Sequence, residues 1–308
     1  ACTSGSAGGH YLPALIEASH DRLPIVALTA DRPPELQNYG APQTTDQSGF
    51  FSQHVRLFED AGAPEPGADL RAPAALAQRA IEAALGATPG PVHLNLPFRK
   101  PLWGAGDIPS IPPEYAAPVI ANAPSEASAL DRAAHRLSST LRGLVVCGPG
   151  DLGVAGVSRV AHTDRLRAAV ARIADTLGWP VLIDGASCLR GGERLPGALY
   201  VGDCLARSER LAARLAPELI VRIGQIPTSS PLRQMLATHG AERTLLLDAT
   251  GQRHDPDGLN AEVLIGDPAR TLEALSVRLS MKGHELDPTW IQTWSRAAEA
   301  LAPDHQPQ

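Results

Sequence analysis

The stretch LTADRPPEL, Leu28 to Leu36, follows the apolar run Ile25-Val26-Ala27 and turns a strand into a corner. Each proline removes a ladder donor and fixes φ, so a central strand cannot continue through Pro33 and Pro34. The chain must leave the sheet here, with the acid Asp31 and the base Arg32 held at the strand's carboxyl end. In open α/β sheets ligands bind at that end.

Six further runs resemble this strand: VHLNLP (92–97), GLVVCG (143–148), PVLIDG (180–185), LIVRIG (219–224), TLLLDA (244–249) and AEVLIG (261–266). Most are continuous apolar runs ending in Asp or Gly, as strands covered on both faces are. Helical spacing fills the gaps at Ala74–Leu85, at Arg165–Leu177 with Gly178 as its stop, and at Ser230–His239. Strand, helix, strand in repetition predicts an α/β fold built of parallel βαβ units in two parallel-sheet domains. The Pro- and Ala-rich stretch after Pro101 has no sustained period and predicts a linker between them, giving domains over 1–104 and 129–280 joined by 105–128. A last helix, Pro288–Leu301, puts Trp290 and Trp294 on one face. They either pack back on the second domain or open a further one over 281–308.

The 308 residues are 44% hydrophobic and 19% charged, enough for two cores. A net charge of -6 and a pI near 5.9 argue against nucleic acid or an acidic membrane as partner. Aromatic residues make up only 4%, too few for base-stacking platforms. Cys2, Cys147, Cys188 and Cys204 show no CxxC spacing and predict thiols in a reducing compartment rather than disulfides or zinc. No run approaches a membrane span, and a cytoplasmic protein without a signal peptide is expected.

Three motifs carry candidate chemistry. TSGSAGG, Thr3–Gly9, precedes an apolar helical pattern (Tyr11, Leu12, Leu15, Ile16) and either brings backbone N–H groups to a ligand or simply caps the helix through Thr3 or Ser4. GPGDLG, Gly148–Gly153, satisfies G-x-G-x-x-G after a strand. Pro149 removes one N–H, and the nearest suitable acid, Asp184, lies beyond the expected spacing, so a Rossmann-like domain without its dinucleotide is expected. In DRPPELQNYGAPQTTDQ, Asp31–Gln47, Arg32 offers a planar fork for a carboxylate and Gln43 both a donor and an acceptor. The competing reading pairs Arg32 with Asp31 or Glu35 and leaves Gln43 on the surface. The histidines form no ligand spacing, His93 reads as a core histidine, and Ser4 lacks a G-x-S-x-G elbow.

TSGSA followed by YLPALIEA, then LTADRPPEL, GAPQTTDQ and VHLNLPFRKPL, resembles the pyrimidine-binding domain of thiamine-diphosphate enzymes. More narrowly it resembles the 2-succinyl-5-enolpyruvyl-6-hydroxy-3-cyclohexene-1-carboxylate (SEPHCHC) synthase family of menaquinone biosynthesis. LGWPVLIDGASCLRGG and LIVRIGQIPTS are similar to that family's central Rossmann-like domain. The resemblance implies a transferase that decarboxylates 2-oxoglutarate and adds the succinyl group to isochorismate. Its cofactors are thiamine diphosphate and Mg²⁺, and its intact assembly is a homodimer or homotetramer. By the same resemblance Thr3, Ser4 and Gly5 lie beside the cofactor's aminopyrimidine, while Arg32 and Gln43 meet substrate. Pro42 replaces the Asn usual before the glutamine, and Ser229-Ser230-Pro231 stands where members often carry basic residues, with Arg233 as the substitute. The family's activating glutamate lies upstream of the TSG turn, and its Gly-Asp…Asn metal motif belongs to a third domain. Gly202-Asp203 and Gly266-Asp267 lack a following Asn at the right distance. The resemblance thus implies a fragment lacking both ends, inactive alone. A related acetolactate-synthase-like carboligase or decarboxylase and a non-catalytic nucleotide- or acid-binding module are the alternatives.

Overall fold

Seven apolar runs become strands, and all of them run parallel. The computed structural model describes residues 1–65, 71–102, 123–150, 159–240, 244–251, 256–257, 261–283 and 285–301. The chain divides into two units, Ala1–Ile120 and Ala121–Gln308, each with its own sheet.

In the first unit, a 3₁₀ turn (Gly5–Tyr11) leads into α1 (Leu12–His20), followed by β1 (Val26–Asp31), β2 (Phe58–Asp60), α2 (Arg71–Ala84) and β3 (Val92–Pro97). The sheet order is β1-β3-β2. Cys2 bridges to Thr29 alongside β1, so the residues before the TSG turn join the sheet edge. Strand alternation divides the core. Val92 and Leu94 pack with Leu76, Ala80 and Ala84 of α2, while Ala27 packs with Leu15 of α1 and with Phe51. VHLNLP is therefore not uniformly apolar: its odd positions, His93 and Asn95, are buried polar residues.

In the second unit, α3 (Ala127–Ser138), β4 (Gly143–Cys147), α4 (Arg159–Leu177), β5 (Val181–Ile183), β6 (Ala198–Leu199), α5 (Gly202–Ala206) and α6 (Glu209–Arg214) form the first part. Next come β7 (Leu219–Ile223), α7 (Ser230–Gly240), β8 (Thr244–Asp248), β9 (Glu262–Ile265), α8 (Pro268–Lys282) and α9 (Pro288–Leu301). The sheet order β6-β5-β4-β7-β8-β9 reverses direction between β4 and β7, the doubly wound arrangement. β4, β7 and β8 are buried at every position, which is why they read as mostly apolar runs, with Arg222 in β7 and Thr244 and Asp248 at the ends of β8 as buried polar exceptions. The helices pack in two groups, α3 and α4 with α8, and α7 and α9 with α5.

Residues 281–308, the expected opening of a further domain, place α9 in the core of this unit. Trp290 and Trp294 are 4% and 0% exposed, and Trp290 Nε1 donates to Gly143 O at 2.7 Å. Of the expected linker, 105–122 lie outside the described residues. Ser125 is already buried, with its N–H on Thr271 Oγ1 at 3.1 Å. None of the four cysteines forms a disulfide. Among the described residues no helix is long and apolar enough to cross a membrane.

Candidate functional site

The carboxyl ends of β1, β2 and β3 converge on one buried amide. Register pairs Thr29 and Asp60 with Asn95 from either side. Asn95 Nδ2 donates to Asp31 Oδ2 and to Asp60 Oδ2, each at 2.8 Å. Asn95 Oδ1 accepts from Thr29 Oγ1 at 2.8 Å and from Gln47 Nε2 at 2.7 Å. His93 Nε2 meets Thr29 Oγ1 at 2.8 Å, and its ring packs edgewise on Phe51. Burial pushes the His93 pKa down to about 4, against a smaller upward pull from the Asp60 charge. The imidazole is therefore neutral at physiological pH.

This cluster supports the loop predicted to bind. Gln47 is 1% exposed, and its Oε1 accepts the Gly5 N–H at 2.8 Å. Gly5 has φ +84°, and a Cβ built on it would sit 3.3 Å from Gln43 Cα. Gln43 itself has φ +57°, a left-handed conformation that costs a non-glycine residue about 1–2 kcal/mol. The missing side chain of Gly5 thus admits the Gln43 backbone. Arg32 Nη2 donates to Gln43 Oε1 at 3.0 Å. The competing pairing of Arg32 with Glu35 is absent, because Glu35 takes a two-bond contact from Arg99 at 2.6 and 3.0 Å. Asp31 Oδ1 instead accepts the Arg32 backbone N–H at 2.7 Å, which pins the corner after the strand. Among the described residues no carboxylate pairs with the Arg32 guanidinium.

The structure brings together Gly5, Arg32 and Gln43, with Thr3 exposed and Ser4 buried beside them. Ser4 precedes the 3₁₀ turn without capping it, and its Oγ is buried with no protein partner. The turn therefore has an exposed threonine and a buried hydroxyl without a protein partner. The Gly5 N–H is already taken by Gln47.

The second unit answers differently. Arg233 opens α7 and pairs with Asp257 at 2.7 Å, a contact that raises its pKa. Ser229 Oγ donates to Asp203 Oδ1 at 2.6 Å, and Asp203 also pairs with Arg207 at 2.8 Å. Asp267 caps α8 through the Arg270 N–H at 2.8 Å. Both Gly-Asp carboxylates are thus held in structural contacts. Among the described residues no group of three or more His, Cys, Asp or Glu side chains is placed to hold a metal. At the switch point between β4 and β7, a Cβ on Gly148 would sit 2.0 Å from Gln225 O, and Gln225 N–H donates to Pro149 O at 2.7 Å. The first glycine of the G-x-G pattern makes room for the protein's own backbone. Asp151, Leu152 and Gly153 of that motif, and Asn260, lie outside the described residues.

No protein-family model matches the sequence. Individual relatives do. The chain is 36% identical to a SEPHCHC synthase of Sorangium cellulosum over a 317-residue alignment covering 98% of this chain and 50% of the relative. It is 38% identical to the synthase of Haloquadratum walsbyi, covering 97% of this chain and 48% of that one. The synthase of Geobacillus kaustophilus is 38% identical over 83% of this chain and 43% of its own length. The chain is a homologue of the SEPHCHC synthases. It spans about half the length of the curated relatives it matches.

Within this SEPHCHC-synthase homologue, His93 is the core histidine that the sequence suggested, buried and bonded to Thr29, but sequence reasoning missed the polar support of the loop that it joins: Thr29, Gln47, Asp60 and Asn95. A signal was present. VHLNLP alternates apolar and polar, and polar residues at alternate positions of a covered strand must find partners on one face.

Proposed function

We propose that this chain supplies the pyrimidine-binding and central domains of a thiamine-diphosphate-dependent transferase that decarboxylates 2-oxoglutarate and adds the succinyl group to isochorismate. The product is SEPHCHC, in menaquinone biosynthesis. The observation that carries this reading is the meeting of the Gly5 turn, the left-handed Gln43 and the uncompensated Arg32 at one sheet end. Gln43 Oε1 already accepts from Arg32, so what the pair mainly offers a ligand is donors: the remaining guanidinium N–H groups and Gln43 Nε2. A fork of donors suits a carboxylate, which both substrates carry.

Thr3 and Ser4 would hold the aminopyrimidine end of thiamine diphosphate, and the Ser4 hydroxyl would gain the partner it lacks. Bound with Mg²⁺, that cofactor would supply the carbanion stabilisation that no side chain here offers. Arg32 and Gln43 would bind and orient the substrate carboxylate, and the rigid Asp31–Pro34 corner would keep the guanidinium from following a departing ligand. Arg233, a substrate residue by the resemblance, would have to give up Asp257 before binding any carboxylate. The working assembly is a homodimer or homotetramer.

The test uses the protein at whatever length its source produces it. Purified from that source, it is expected to release CO₂ from 2-oxoglutarate in a thiamine-diphosphate- and Mg²⁺-dependent way and to consume isochorismate. Arg32→Ala and Gln43→Ala, placed in the chromosome, are each expected to lower menaquinone content. Release of CO₂ from pyruvate instead would assign an acetolactate-synthase-like activity. No release from any oxoacid, with a thermal shift caused by a nucleotide, would leave a binding module.

A further inference from the structure

The buried cluster beneath Arg32 and Gln43 has a polarity that can be worked out atom by atom. Asn95 Nδ2 faces two carboxylates, Asp31 and Asp60, which accept and do not donate, so its amide orientation is fixed. Asn95 Oδ1 must then receive protons from both Thr29 Oγ1 and Gln47 Nε2. The single Thr29 proton is used there, so His93 Nε2 carries the proton between those two residues. The second proton of Gln47 Nε2 goes to Ala30 O at 3.1 Å, and Gln47 Oε1 accepts from Gly5 N–H at 2.8 Å. One side chain thus ties three segments: the TSG turn, β1 and β3. The position needs an acceptor on one side and two donors on the other, which an amide alone supplies at this length.

We propose that Gln47 is the positioning residue for Gln43. Gln43 holds its left-handed backbone against the bare Cα of Gly5, and Gly5 is held by Gln47. Gln47 thereby sets the shape of the donor fork that Arg32 and Gln43 present. This deepens the carboxylate-receptor reading and rests on it for the ligand, though not for the geometry.

Gln47→Glu keeps the shape and reverses the polarity. Ionised, the introduced carboxylate sets acceptor against acceptor at Asn95 Oδ1 and Ala30 O. Protonated, it regains one donor. Its pKa lies above the ordinary value near 4.3, because burial and the acceptors around it both favour the neutral form. The titratable and charged groups facing it are Asp31 and Arg32 at the end of β1, Asp60 on β2, His93 on β3 and Asp46 on its own loop. All are present in the unaltered protein, whose titration serves as the reference.

The experiment records amide spectra of the ¹⁵N-labelled 308-residue chain, of Gln47→Glu, and of Gln53→Glu as an exposed control, from about pH 5 to about pH 8. In Gln47→Glu the Gly5 and Gln43 signals are expected near their unaltered positions at the acid end, moving away in one transition as pH rises. Gln53→Glu is expected to overlay the unaltered protein throughout. Titrated with 2-oxoglutarate, Gln47→Glu is expected to bind about tenfold more weakly at the alkaline end and to recover on acidification. A folded Gln47→Glu whose Gln43 signal never leaves its unaltered position, or never returns to it, overturns the proposal. Should that variant fail to fold, hydrogen exchange in the unaltered protein decides: a Gly5 amide exchanging at the rate of an open loop also overturns it. If the signals move as expected while the unaltered protein ignores 2-oxoglutarate, the positioning role stands and the carboxylate-receptor reading falls.

Discussion

Asn95→Asp is the most direct perturbation of the buried cluster, since it replaces one nitrogen by oxygen and leaves the volume unchanged. That nitrogen sits 2.8 Å from each of two carboxylates, Asp31 and Asp60. Losing a hydrogen bond to a charged acceptor costs about 1.5–3 kcal/mol. The new like charge adds repulsion with a ceiling of about 6 kcal/mol at 2.8 Å and an effective dielectric near 20. Asp60 is exposed, so water screens its part, whereas Asp31 is 6% exposed. The folded variant avoids the repulsion by keeping a proton that the unfolded chain releases above about pH 4. The folded state then binds more protons than the unfolded state, and stability falls as pH rises, by about 1.4 kcal/mol per unit. Keeping that proton costs about 1.5 kcal/mol at pH 5 and about 5.6 kcal/mol at pH 8, and the lost hydrogen bond adds to both.

Two units make a single global unfolding curve ambiguous, and three of the four tryptophans, Trp179, Trp290 and Trp294, lie in the second unit. The assay is therefore hydrogen exchange of peptides from β1 and β3 at two pH values, with peptides from β4 and β7 as the internal control. A loss below about 1 kcal/mol, or one of equal size at both pH values, would refute the polarity assigned to Asn95 and the argument for Gln47 built on it.

His93, neutral in the fold with its pKa at about 4, should make the first unit gain stability between pH 4 and pH 6.5, where only the unfolded chain binds the proton. His93→Gln should flatten that rise in the exchange rates of β3. Gly148→Ala would place its Cβ 2.0 Å from Gln225 O and force the exits of β4 and β7 apart. Calorimetry should show the second unit losing about 3 kcal/mol or more, whether or not any nucleotide is present. Arg79→Ala, which removes an exposed ion pair with Glu59, should leave the melting temperature within error.

Most of the fold was legible because burial on both faces writes long apolar runs. All seven runs became strands, and their pairings are parallel as the βαβ pattern requires. The two strands not expected, β2 with three residues and β6 with two, are too short to show any period. α3 carried a readable signal in Leu130, Ala133, Ala134 and Leu137, all buried at helical spacing. Arg32 and Gln43, which the structure joins by a hydrogen bond, were picked out together because prolines and the lack of apolar relief marked their loop. The G-x-G pattern before residue 151 was ambiguous for a physical reason. A glycine required by a ligand and a glycine required by the chain's own carbonyl look the same until the neighbour of the Cβ position is known.

The support beneath the loop was missed because each of its members has an unremarkable local reading. A Thr in a strand, a His on an apolar face and a Gln in a polar run call for no explanation singly. Together they place six polar side chains, Thr29, Asp31, Gln47, Asp60, His93 and Asn95, at the ends of three short strands, five of them buried. A Val or Leu at these positions would fill the same volume without needing partners, and such replacements are often neutral or stabilising. Stability therefore does not account for the choice. What apolar residues cannot do is fix a direction. The two carboxylates orient Asn95, Asn95 orients Gln47, Gln47 holds Gly5, and Gly5 admits Gln43 in a conformation it would not adopt alone. On the proposed reading, a chain of forced orientations ending at a strained residue beside an uncompensated arginine is what meeting a ligand carboxylate in one geometry requires.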